Sequence, residues 1–189
     1  MLKISSGNNK VGKIPSVSLT PIKSCVNCSY CKKDCYALKS YRMYPNVRNA
    51  WDSNFDLAKN DLNTFFNELD RYLNKKRPKI FRYHVAGDII SQEYFDNMKN
   101  IAVKYPDIKF LAFTKNFTIK YRNIPDNLSI ILSIFPGMPI PKINLPKAFM
   151  QDGTEKRIKT ALECHGNCEY CGLCWELKNL NKNVYFNKH

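Results

Sequence analysis

No cysteine occurs between Cys35 and Cys164, so all eight cysteines of this chain fall in two short runs near its ends. Acidic residues are also scarce. Sixteen Asp and Glu stand against 30 Lys and Arg, a formal net charge of +14. Within residues 1–48 a single acid, Asp34, faces nine basic side chains. A field of that sign suits RNA, DNA or an anionic small ligand, and equally a plain solvated basic surface. No run of 18 apolar residues is present, which excludes a membrane-spanning helix and any membrane partner of that kind. Met1 to Lys13 is polar and basic with no apolar stretch, so no secretory leader is expected. The expected location is therefore the cytoplasm, where thiols stay reduced and clustered cysteines favour metal over disulfides. There is no long internal repeat and no low-complexity tract.

What is present is a chain of 189 residues, 44% hydrophobic, long enough for one domain with a real core. Pro15 to Pro21 alternates apolar and polar residues and reads as a short strand. The first thiol run follows it in a loop. From Asn49 to Lys75, Trp51, Phe55, Ala58, Leu62, Phe65, Phe66, Leu69, Tyr72 and Leu73 recur at three- and four-residue steps, which predicts one long helix. Arg77-Pro78 ends it. Lys79 to Ala86 predicts a strand closed by Gly87-Asp88. Ser91 is a plausible N-cap for a helix bearing Tyr94, Phe95, Met98, Ile101, Ala102 and Tyr105. Ile108 to Phe113 predicts a strand, then a short helix to Arg122. The apolar run Ser129 to Phe135 predicts a strand buried on both faces. Another strand is expected near Lys147 to Gln151, and a short helix near Trp175 to Leu180. Strands separated by helix-length connections predict an α/β fold with mostly parallel strands. The chain is short for a complete eight-fold barrel, so the expectation is a small, open, partial β/α barrel with cysteine-rich loop regions at both ends. Residues 1–160 are expected to form the β/α domain, including the cysteine loop 25–35. Residues 161–189 are expected to form a cysteine-rich extension packing on it.

The two thiol runs mirror each other. Cys25, Cys28, Cys31 and Cys35 follow C-x2-C-x2-C-x3-C, and Cys164, Cys168, Cys171 and Cys174 follow C-x3-C-x2-C-x2-C. Thiolates at such spacing can converge on one metal centre. All-cysteine zinc sites usually pair two C-x2–4-C knuckles. Bacterial ferredoxins use the first of these spacings for an iron–sulfur cluster, followed by proline where this chain has Tyr36. Three thiols at two-residue spacing suit a cubane better than a zinc knuckle, so one or two [4Fe–4S] clusters are favoured, with zinc as the alternative and disulfides as the structural fallback. Each run could hold its own centre, or the runs could share ligands.

Several segments together resemble the phage gene product 88 family: Gly12-Lys13-Ile14-Pro15 leading into Ser18-Leu19, Cys31-Lys-Lys-Asp-Cys35-Tyr36-Ala37, His84-Val-Ala-Gly-Asp88, Phe113-Thr114-Lys115, and Cys171-Gly-Leu-Cys174-Trp175. The resemblance covers most of the chain and implies a phage- or prophage-borne protein acting in the host cytoplasm. More distantly, a cysteine loop after the first strand of a partial β/α barrel is similar to that of radical S-adenosylmethionine (SAM) enzymes. That resemblance implies a [4Fe–4S] cluster with SAM as a further cofactor. The usual loop there is C-x3-C-x2-C. Cys31 and Cys35 supply its first gap, and Leu38 stands at the third position.

Function in parallel β/α folds gathers at the carboxyl ends of strands. The substrate-side candidates are accordingly Asp88, Lys115 and Ser133, with Tyr36 and Arg48 beside the first thiol run. An acid and a lysine there could bind or polarise an anionic ligand; Asp88 could equally be a turn residue and Lys115 a solvated one. Arg42 could hold an anion with Arg48. His84 reads as a buried, hydrogen-bonded histidine, His165 as a spare metal ligand, and Trp51 as core. The expectation is an iron–sulfur redox or radical-type enzyme acting on nucleic acid or a nucleotide. The alternative is a non-catalytic, metal-stapled nucleic-acid-binding module.

Overall fold

The computed structural model describes residues 1–8, 11–153 and 160–187. Among these the chain forms eight strands and six helices. The strands are β1 (Ile4–Ser5), β2 (Ser16–Val17), β3 (Ile80–Tyr83), β4 (Lys109–Thr114), β5 (Leu128–Ile134), β6 (Lys147–Gln151), β7 (Ala161–Glu163) and β8 (Asn183–Asn187). The helices are α1 (Tyr36–Met43), α2 (Pro45–Asn60), α3 (Leu62–Lys76), α4 (Gln92–Lys104), α5 (Cys168–Cys171) and α6 (Leu173–Leu180). All strands join one sheet in the order β1-β2-β3-β4-β5-β6-β8-β7. Only β1 runs antiparallel to its neighbour; every other pairing is parallel. The expected α/β class with mostly parallel strands is what forms.

The pleat sorts the core into two faces. In β4, Phe110 and Ala112 point to one side, where Phe65, Leu69, Tyr94 and Met98 of α3 and α4 cover them. Leu111 points to the other side and meets Ile131, Trp175, Leu177 and Val184. Period-two alternation therefore serves two hydrophobic layers at once. The middle strand, β5, is buried along its whole length, as its unbroken apolar run requires. Ser129, on its α6 side, donates to the Trp175 carbonyl at 2.9 Å.

Several elements differ from expectation for identifiable reasons. The single helix over 49–75 is two helices. Asp61 interrupts it, its carboxylate accepting from the Thr64 N–H at 2.9 Å and capping α3. The apolar stripe continues across the break because both helices pack on the same sheet face. Helix α1 carries one buried residue, Ala37, so it left no apolar periodicity to read. The expected helix after β4 is replaced by turns in which the Asn116 side chain accepts from the N–H and hydroxyl of Thr118. Residues 161–187 do more than pack on the sheet. Through β7 and β8 they extend it, with β8 paired to β6. The second thiol run is also partly helical, since α5 spans Cys168–Cys171. No helix among the described residues is long and apolar enough to cross a membrane.

Ser91 caps α4 as expected, accepting from the Tyr94 N–H at 3.1 Å. Replacing it with alanine removes that acceptor. Ser91→Ala is expected to destabilise the protein by about 1 kcal/mol in urea titrations, and Ser91→Asp to retain most of the stability.

Candidate functional site at the carboxyl edge of the sheet

Because β2, β3, β4 and β7 are parallel, their carboxyl ends share one edge. The first thiol run follows β2, Asp88 follows β3, Lys115 follows β4 and Cys164 follows β7. The edge is assembled by the segment His84 to Asp88. His84 leaves β3 with a left-handed φ of 57°. Its N–H donates to the Val17 carbonyl at 2.8 Å, and the Leu19 N–H donates to the Ala86 carbonyl at 2.9 Å. Gly87 follows at φ 89°, and a Cβ there would stand 2.7 Å from both Leu19 Cβ and Ser24 Oγ. Only glycine lets the thiol loop approach this closely.

Asp88 is fully buried, and its carboxylate is occupied. Oδ1 accepts from the Ile89 N–H at 2.8 Å and the Thr114 hydroxyl at 2.6 Å; Oδ2 accepts from the Lys115 N–H at 2.9 Å. Burial raises its pKa, and the Lys115 charge with these hydrogen bonds pulls it back. Asp88 thus ties the exit of β3 to the exit of β4. Asn27 continues the chain of contacts by donating to the Lys115 carbonyl at 2.7 Å, which docks the first thiol loop on the end of β4.

That loop is built from two short 3₁₀ turns, Cys28–Tyr30 and Lys32–Asp34, after a left-handed Asn27. Cys31 is buried, and Cys25, Cys28 and Cys35 are half-buried. Burial pushes the Cys25 thiol up to about 11 and raises Cys31, with Lys115 opposing both shifts. The Lys115 ammonium lies 5.5 Å from the centre of the Phe135 ring. Tyr36, the first residue of α1, keeps an exposed ring while its hydroxyl donates to the Val85 carbonyl. Its hydroxyl pKa is raised by burial, with Arg82 and Lys115 opposing and Cys35 and Cys25 adding to the shift.

The second run is more convergent. Cys164, Cys168, Cys171 and Cys174 all line one small cleft, together with Leu173, Trp175 and Val184. Burial pushes Cys174 up to about 12, reinforced by the other three thiols and opposed by Arg82. Arg82 comes from β3, at the opposite side of the strand order from β7. Its Nη1 lies 3.9 Å from Cys168 Sγ and its guanidinium 5.1 Å from the Phe113 ring centre. Its Nε is buried with no hydrogen-bond partner. The same charge acts on Tyr36 and on Cys174, so Arg82 stands between the two runs. Arg82 is not among the candidates drawn from the sequence. The available signal was a lone arginine inside the otherwise apolar strand Ile80–Tyr83.

The remaining candidates are dispersed. Ser133 is buried within β5, on the same side of the strand as Ser129. Arg48 is exposed on α2, where its charge acts on Tyr41. Arg42 lines a groove with Cys35 and Lys39. His165 is exposed and does not line the cysteine cleft. None of the eight cysteines is joined in a disulfide. Among the described residues, no three Cys, His, Asp or Glu side chains are drawn into a ready-made metal-binding group.

Comparison with known proteins places this architecture in context. A family model described as gene product 88 matches residues 2–136. The Gene 88 protein of Mycobacterium phage L5 is 26% identical over 216 residues, covering 95% of this chain and 89% of the relative. The Gene 88 protein of Mycobacterium phage D29 is 25% identical over 205 residues, covering 89% and 85% respectively. No solved structure matches. The distant likeness to radical-SAM enzymes finds no support in these comparisons, and Leu38, at the position of their third cysteine, lies on α1.

Two outcomes follow from the edge geometry. Gly87→Ala is expected to cost about 2 kcal/mol or more in denaturant titrations, since it combines a left-handed φ with a steric conflict. His84 is buried and neutral, its Nε2 paired with the Tyr94 hydroxyl at 3.1 Å, and burial with the Arg82 charge pushes it down to about 3 from 6.5. The unfolded chain takes up this proton near pH 6.5, and the folded chain does so only near its depressed value. The contribution is therefore fully present above pH 6.5 and is lost as pH falls towards 3. Lowering the pH by about two units from there should cost roughly 2.5 kcal/mol through His84. Asp88, with its raised pKa, acts in the opposite sense, so the histidine part is read as the difference from His84→Asn. That variant tolerates the left-handed φ and should show a flatter stability profile over this range.

Proposed function

The chain belongs to the gene product 88 family, and from its two thiol runs we propose that it is an iron–sulfur protein carrying out redox or radical-type chemistry on a nucleic acid or nucleotide. The observation that carries this reading is the cleft lined by Cys164, Cys168, Cys171 and Cys174, walled by Leu173, Trp175 and Val184, with Arg82 against Cys168. Four thiols beside an apolar wall fit the donor set of a [4Fe–4S] cluster, with Cys171 on its solvent side. Cys25, Cys28, Cys31 and Cys35 would hold a second cluster. When bound, such a group supplies one-electron chemistry. The chain's own part is to deliver thiolates, exclude water and offset charge. Bound thiolates bring negative charge into a half-buried site, and Arg82 at the second run and Lys115 at the first are the cations that balance it. The approach of Arg82 in β3 to Cys168 beyond β7 also supports a sheet that curls on itself as an open partial barrel.

A second reading is a non-catalytic module in which the metal, iron–sulfur or zinc, staples the fold around a nucleic-acid-binding surface. It is favoured by Asp88, whose oxygens are consumed by structural hydrogen bonds, so that this carboxylate is not available for acid–base work.

Cys168→Ser and Cys31→Ser, purified without oxygen, test the assignment. If each run holds its own cluster, each variant should lose about half of the bound iron and of the visible absorbance. If the runs share a centre, either variant should lose nearly all of it. Unchanged iron in both variants would sink the assignment. Reductive cleavage of SAM by the intact protein would bring the radical chemistry forward, and its absence would leave redox chemistry or the binding module.

A further inference from the structure

We infer that the groove along α1 binds single-stranded nucleic acid and leads it past the first thiol run. The inference rests on the nucleic-acid part of the reading above and not on the identity of the metal. The groove is about 700 Å³ and is lined by Lys32, Lys33, Lys39 and Arg42, with Cys35 and Met43. No carboxylate lines it. Four other surface lysines, Lys99, Lys104, Lys109 and Lys178, are each paired with an acid. The four groove cations have no ion-pair partner among the described residues. Four unpaired cations in one groove make a field for a chain of phosphates rather than for one small anion.

Exposed aromatics accompany the charge. Tyr30, Tyr36, Met43 and Tyr44 are 42%, 53%, 57% and 54% exposed, in a chain that buries most of its large apolar residues. Tyr36 opens α1, and Tyr44 is the residue at which it ends. Along the helix, Tyr36, Lys39 and Met43 follow each other at three- and four-residue steps and so share a face. Cations that track a backbone and exposed aromatic faces on which bases can stack, here Tyr30 and Tyr44 flanking the groove residues in sequence, are the two elements of single-strand binding. A duplex keeps its bases stacked on one another and offers nothing to the tyrosines. The position of Cys35 in the groove wall brings such a strand beside the proposed cluster.

The site is positioned by a local network. Asp52 of α2 accepts from the Thr20 hydroxyl at 2.6 Å and from the Tyr41 hydroxyl of α1 at 2.8 and 2.9 Å. This holds α1 against the segment that leads into the thiol loop.

The test is fluorescence anisotropy of the full chain with labelled oligothymidylate and oligouridylate of about twenty nucleotides, and a duplex of the same length, over a range of salt. Lys39→Gln/Arg42→Gln should weaken single-strand binding by at least about tenfold and reduce the salt slope by about 1.4, with iron content unchanged. Tyr44→Ala should weaken it by at least roughly fivefold with the slope preserved. Lys75→Gln/Lys76→Gln, at the end of α3, should leave binding as it was. Preference for one oligonucleotide identifies the polymer. Wild-type affinity in the groove variant, equal weakening by the α3 variant, or equally tight duplex binding would overturn the inference. A wild-type chain that holds no iron yet shows this pattern of single-strand binding would support the groove and count against the cluster.

Discussion

A buried carboxylate holds this molecule's working edge together. Asp88 has no contact with water, and it accepts from two backbone N–H groups and one hydroxyl on two different strand exits. Such a group is tolerated in a core only because its acceptors are filled. The bond to the Lys115 N–H fixes the start of the loop after β4, and the Lys115 carbonyl in turn receives Asn27 of the first thiol loop. Gly87 lets Ser24 lie against the same turn. The position of Cys25 to Cys35 therefore depends on residues more than fifty positions away in sequence. The segment His84 to Asp88 acts less as a set of reactive groups than as the bracket on which the thiol loop hangs.

This explains what could be read from the sequence and what could not. Buried, periodic elements were legible: β5 from its unbroken apolar run, α4 from its stripe and its Ser91 cap, the parallel sheet from the rhythm of strands and helices. Exposed or short elements were not. Helix α1 buries only Ala37, so nothing in its apolar pattern announces it, although its charges and tyrosines are what make it interesting. The break at Asp61 was hidden because a cap does not disturb an apolar stripe that resumes on the same face. Strands β7 and β8 are short and lie among cysteines and lysines, and their pairing depends on β6, far away in sequence. The site was half legible. The thiols and Lys115 stand at strand ends as expected, but Asp88 turns inward. Arg82, a charge within a strand, is explained by Cys168 beside it, 86 positions away in sequence.

The two thiol runs differ in their surroundings. The second converges on a cleft with apolar walls and one guanidinium. The first is spread over two turns and opens towards a basic groove. Cys171 of the second run is exposed, whereas Cys31 of the first is buried, so convergence rather than burial sets the second run apart. The Arg82 charge acts on Tyr36 beside the first run and on Cys174 in the second. Isolated thiols raised by burial, as Cys25 and Cys174 are, carry protons at neutral pH, so metal binding must release them.

The central claim is that these thiols exist to hold iron and sulfide. Iron, acid-labile sulfide and zinc analysis of the wild-type chain, purified without oxygen, tests it most directly. The expected result is a brown protein with about four or eight irons per chain and matching sulfide. A colourless protein with stoichiometric zinc and no sulfide would contradict it.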